Sequence, residues 1–83
     1  MTTAERLKVY IEKNGIRLSF IAGQVKKISP ELNFSAQKLG QSLNNKRVLS
    51  LEEYTAVTQA LKVDFETFII DEKYVQALSN KIN

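Results

Sequence analysis

Between Ser35 and Tyr54 the chain carries two helix-start signals with a stop signal between them, a spacing that admits little except two short helices joined by a tight turn. Ser35 is a residue type that accepts a backbone hydrogen bond at a helix start, and Leu39 and Leu43 recur four apart on one face of the turns behind it. Gln37, Lys38 and Gln41 take the other face. Asn44 and Asn45 then stop the helix, because asparagine is the non-glycine residue that best tolerates the left-handed conformation of a helix end. Ser50 with Glu53 three residues on forms a capping-box pattern, so a new helix begins almost at once. Lys46 and Arg47 fall in the turn and give the polar edge of the first helix a basic corner.

The rest of the chain reads as helix as well. Thr2 and Glu5 cap a first helix that carries Leu7, Tyr10 and Ile11 inward and ends at Asn14-Gly15. A second begins near Leu18 or Ser19 and presents Ile21, Ala22, Val25 and Ile28 at helical spacing. Ser29-Pro30 is equally an N-cap with proline at the first helical position or a plain turn, and Phe34 is expected to pack inward. The third helix runs from Ser35 to Asn44. The fourth runs from Ser50 to about Leu61 with Leu51, Tyr54, Val57 and Leu61 inward. Asp64 is expected to cap a short fifth through Phe68 and Ile69, and Asp71 to open a sixth carrying Tyr74, Val75, Leu78 and Ile82. β-Branched and aromatic residues never alternate long enough for a sheet, so the fold class expected is all-α.

Eighty-three residues supply one core, read as a domain over residues 1–70 with a C-terminal extension over residues 71–83. The modest net charge of +3 conceals a strong polarity. From residue 13 to 47, seven basic residues (Lys13, Arg17, Lys26, Lys27, Lys38, Lys46 and Arg47) face the single acid Glu31, a local balance of +6, whereas residues 48–83 carry three basic residues against six acids. Such a field draws a polyanion to one region and discourages it elsewhere. The chain has no cysteine and no histidine, which removes disulfides, thiolate metal sites and the usual general base. Catalysis, metal and cofactor are not expected, nor is a small-molecule substrate. No apolar run approaches membrane-spanning length and the N-terminus lacks a signal-type hydrophobic region, so the expected location is cytoplasmic, with no membrane partner.

Taken in order, IEKNGIRLSFIAGQV, SAQKLGQSLNNKRVLSLEEY and ALKVDFETFI resemble the Cro and lambda-repressor-like helix-turn-helix family, also called the XRE type, over roughly residues 5 to 70. The resemblance rests on Ile21-Ala22 with Val25, the cap Ser35 and Leu39, the LNNKR turn, and the S-L-E-E-Y opening followed by A-L-K-V-D. It implies a compact five-helix domain whose third helix enters the major groove of DNA. It implies further that Ala36, Gln37, Lys38 and Gln41 read base edges, with the glutamines suited to adenine and Lys38 to guanine. Lys46 and Arg47, with Asn44 and Asn45, are then phosphate contacts, and Arg17, Ser19, Lys26 and Lys27 are weaker candidates for the same role.

Three departures from the family pattern bear on these expectations. Lys26 to Phe34 intervene where the family has a turn of about three residues, so either the second helix is longer or a loop intrudes. Leu18 stands where a glutamine commonly braces the backbone contact. Gly40, Ser42 and Asn45 replace residues that are often serine, apolar and glycine, respectively.

The function these features favour is a sequence-specific regulator of transcription, of the phage or mobile-element repressor kind, that occupies a double-stranded DNA operator. The alternative is a protein-interaction module of antirepressor or antitoxin type that kept the fold without DNA readout. The stripe from Tyr74 to Ile82 is surplus to five helices and either covers its own core or forms a homodimer seam.

Overall fold

A computed structural model describes residues 2–69 and places four α-helices: α1 (Thr3–Lys13), α2 (Leu18–Ile28), α3 (Ala36–Leu43) and α4 (Leu51–Leu61). Two single 3-10 turns complete the described chain, Pro30–Leu32 between α2 and α3 and Phe65–Phe68 after α4. No strand occurs among the described residues, so the chain is all-helical as its periodicity indicates. The segment from Asp71 onward, with the stripe Tyr74, Val75, Leu78 and Ile82, lies outside them.

Side-chain caps set three of the helix starts. The Thr2, Ser35 and Ser50 hydroxyls accept from the backbone amides of Glu5, Lys38 and Glu53, each at 3.1 Å. Only the last is a complete capping box, because the Glu53 carboxylate accepts in return from the Ser50 amide at 2.9 Å. Three helix ends share a second device, in which a residue of positive φ turns the chain back so that two amides reach the last carbonyls. Gly15, Asn45 and Lys62 take this position with φ of 61°, 60° and 57°. After α3, for example, the Asn45 amide donates to the Ser42 carbonyl and the Lys46 amide to that of Gln41.

Helix α2 is the centre of the packing. It lies against both α4 and α3, while α1 packs on α3 and on the Phe65–Phe68 turn. The core takes Leu7 and Ile11 from α1, Ile21 and Val25 from α2, Leu39 and Leu43 from α3, Tyr54 and Val57 from α4, and Phe34, Leu49 and Phe68 from the connections. Tyr54 is wholly buried, and Tyr10 packs edge-on against Phe68 with ring centres 5.2 Å apart.

Four expectations need correction. The fifth helix is the single 3-10 turn Phe65–Phe68, and Asp64 makes no side-chain cap there. The Tyr54 hydroxyl donates to the Phe65 carbonyl, the group an α-helix would offer to the Ile69 amide, and that amide turns instead to Glu66. Ile28 is 41% exposed rather than inward, since it sits at the last residue of α2, beyond the buried Ile21, Ala22 and Val25. Leu51 is half-buried at the start of α4 and is not among the side chains packed on the core, whereas Leu61 at the other end packs against it as expected. The long connection combines both readings of the sequence: α2 runs on to Ile28, and then Pro30, which has no amide hydrogen, forces Ser29 out of helical geometry. The 3-10 turn and the left-handed Asn33, φ 51°, bring the chain round to the cap of α3.

Gly40 lies inside α3 without a packing reason. A Cβ built there would meet only Leu18 Cδ1, at 3.6 Å, an ordinary contact. Gly40→Ala should therefore raise the unfolding free energy by about 0.5–1 kcal/mol through helix propensity, measured by urea titration. A loss of stability would show that α2 and α3 are closer than these positions allow.

Candidate nucleic-acid interface

Helix α3 has two faces of opposite character. Leu39, Ser42 and Leu43 are buried against α1 and α2, whereas Gln37 and Gln41 are exposed and, being four apart, lie one above the other on the outer face. Ala36 and Lys38 are half-buried beside them. The Lys38 ammonium turns back to donate to the Asn33 carbonyl at 2.9 Å, so this lysine closes the turn that leads into α3. At the other end Asn44, Asn45 and Lys46 are all exposed, and Asn44 Oδ1 accepts from Lys8 Nζ of α1 at 2.9 Å. The fold thus gathers Ala36, Gln37, Lys38, Gln41, Asn44, Asn45 and Lys46 along one short helix and its exit.

Arg47 behaves differently from its neighbour. Its guanidinium folds back between α3 and α4, donating from Nη1 to Glu53 Oε1 at 2.9 Å and from Nη2 to Oε2 at 2.6 Å. Nη1 also reaches Ser42 Oγ at 3.2 Å, and that hydroxyl donates to the Lys38 carbonyl at 3.0 Å. Ser42 is buried and its hydroxyl is satisfied on both sides by this bridge. The Glu53 side chain is 7% exposed and that of Arg47 28%. Burial pushes the Glu53 carboxyl up. The hydrogen bonds from Arg47 and from the Ser50 amide, with the guanidinium charge, outweigh burial and hold it below the ordinary glutamate value of 4.5. The hydrogen bond to Glu53 in turn raises Arg47 against the smaller opposing effect of burial.

The remaining basic candidates divide between the ends of α2. Arg17 and Ser19 are exposed at its start, where Arg17 occupies the cap position and no side chain caps the helix. Lys26 and Lys27 are exposed in its last turn, where they favour the helix dipole. About 15 Å of helix separates the two groups, so they do not form one cluster. Leu18, the first residue of α2, is half-buried and packs against the core.

Sequence reasoning did not find the bridge from Arg47 to Glu53 or the contact of Lys8 with Asn44. The first spans six residues across a turn and the second thirty-six residues, and neither follows a helical period. Among the described residues no group of three or more acidic, histidine or cysteine side chains converges as a metal site, and no helix is long and apolar enough to cross a membrane. No protein-family model, curated protein or solved structure matches the chain.

Removing the guanidinium should leave a buried carboxylate without its main partner. Arg47→Met is expected to cost about 2 kcal/mol of stability near neutral pH. Because the Glu53 carboxyl is depressed in the folded state, this contribution is full above pH 4.5 and is lost as pH falls through the lower folded value. Urea titrations of both proteins across a pH series should therefore show the gap between them closing in acid. A gap independent of pH would mean that Glu53 is not the partner that matters.

Proposed function

We propose that this protein is a sequence-specific double-stranded DNA-binding regulator that places α3 in the major groove, with a lambda-repressor-like helix-turn-helix arrangement in which the fifth helix is reduced to a 3-10 turn. The observation that carries the reading is the pair Gln37 and Gln41, exposed one turn apart on a helix whose other face is locked into the core. A glutamine amide presents a donor and an acceptor together, the pattern that matches the major-groove edge of adenine. Lys46, exposed at the exit of α3, adds a phosphate contact, and the excess of positive charge over residues 13–47 favours approach of a polyanion from that part of the chain. Arg17 and Ser19 at the uncapped start of α2 offer a second phosphate contact. Such a protein acts by occupying an operator in transcription control, as phage and mobile-element repressors do, and a homodimer would read a palindrome.

The second reading is a protein-interaction module on the same scaffold. Two observations favour it: Leu18 packs inward where a glutamine would brace the DNA backbone, and Arg47 is held by Glu53 instead of standing free for phosphate.

The two readings part under salt. A DNA-binding chain should lose affinity for random-sequence duplex steeply as salt rises, and an interaction module should show no such slope. On a duplex selected from a random pool, Gln37→Ala or Gln41→Ala should each cost about 1–3 kcal/mol and relax the choice of base at one position. Lys46→Ala should weaken selected and random duplexes alike and reduce the log-log salt slope by about one. Full discrimination in both glutamine variants would remove α3 from the role of reading helix.

A further inference from the structure

A cleft of about 390 Å³ opens between the end of α1, the start of α2 and the inner side of α3, within the size range of small-molecule sites. Its walls include the hydrocarbon of Ile11, Ile16, Leu18 and Leu43, and its two charged lining residues both come from the α1 rim. There Lys8 and Glu12 stand one helical turn apart on α1, with β-carbons roughly 5–6 Å from each other. Neither forms an ion pair within 4.0 Å among the described residues, and the partner of the Lys8 ammonium is the neutral Asn44 side chain. An ammonium and a carboxylate that do not neutralise each other, set above an apolar pocket, complement a ligand carrying both opposite charges on an apolar body.

Gly40 supplies an independent observation. It lines the same cleft, and nothing in the packing between α2 and α3 requires a glycine there, since a Cβ would make only an ordinary contact with Leu18. What a side chain at this position would occupy is the space of the cleft. We infer that the cleft is a binding site for a small zwitterion with an apolar side chain, of the aliphatic α-amino-acid class, its carboxylate on Lys8, its ammonium on Glu12 and its hydrocarbon against Ile11, Ile16 and Leu43. The inference does not depend on DNA binding: Asn44 is the one residue of the cleft wall that is also a candidate DNA contact, and none of the groups assigned to the ligand is.

The test is an NMR titration of the isotopically labelled chain, without DNA, using three probes of one shape: L-leucine, 4-methylpentanoate, which lacks the ammonium, and isopentylamine, which lacks the carboxylate. Leucine should shift the amides of Ile16, Leu18, Gly40 and Leu43 saturably. Each single-charge probe should bind about tenfold more weakly, the factor expected for loss of one charge-assisted hydrogen bond. Lys8→Gln should weaken leucine by about tenfold and leave isopentylamine unchanged, while Glu12→Gln should weaken leucine similarly and leave 4-methylpentanoate unchanged. Gly40→Val should abolish binding by filling the cleft, and if that variant does not fold, the two rim variants decide. Absence of saturable shifts with leucine, equal affinity for all three probes, or rim variants that bind like the parent would each overturn the assignment.

Discussion

The Glu53 carboxylate is the point on which the geometry of α3 depends. One oxygen closes the capping box of α4 through the Ser50 amide, and both accept from the Arg47 guanidinium, which also touches Ser42 within α3. A single buried anion therefore fixes the start of one helix, the course of the turn before it and the end of the helix before that. Bidentate pairing between two planar groups constrains orientation as well as distance, which a hydrophobic contact of the same area does not. The outer face of α3 keeps its direction because its inner face and its exit are both held.

The apolar core supplies the driving force and the polar contacts choose among the ways of satisfying it. Leu39 and Leu43 would bury equally well over a modest range of rotations of α3 about its axis. Ser42 on the bridge, Lys38 on the Asn33 carbonyl and Asn44 against Lys8 narrow that range from three sides. Tyr54, next to Glu53 in α4, does the same for the segment that follows α4. Its ring fills the core while its hydroxyl takes the Phe65 carbonyl, which converts what could be a turn of α-helix into a 3-10 turn. Each case shows a tertiary hydrogen bond overruling a local preference by occupying a backbone or side-chain group that local structure would otherwise use.

The candidate interface and the amphipathic cleft adjoin along one eight-residue helix and meet at Asn44. The helix is too short to be stable alone, so its position is set by its surroundings and not by its own propensity. The contact of Lys8 with Asn44 ties α1 to the exit of the helix that carries Gln37 and Gln41. Lys46 at the exit stays exposed, while Arg47, next in sequence and identical in charge, is withdrawn into the fold.

Periodicity and capping, both local properties, determined the existence of α1 to α4, the caps at Thr2, Ser35 and Ser50, the all-helical class and most of the core, because a stripe of apolar residues and a hydroxyl before it act over a few neighbouring residues. The left-handed ends at Gly15 and Asn45 were legible for the same reason, whereas Lys62 in that conformation was not, since lysine carries no preference for it. The exposure of Gln37 and Gln41 also followed from spacing, which grouped with them Lys38, a residue the fold half-buries and turns back to Asn33. What the tertiary structure alone decided is which charges are free and which are bound. The pairing of Arg47 with Glu53, the reach of Lys8 to Asn44, the inward turn of Leu18, the open space beside Gly40 and the demotion of the fifth helix all depend on groups brought together by folding, whose separation in sequence follows no helical repeat.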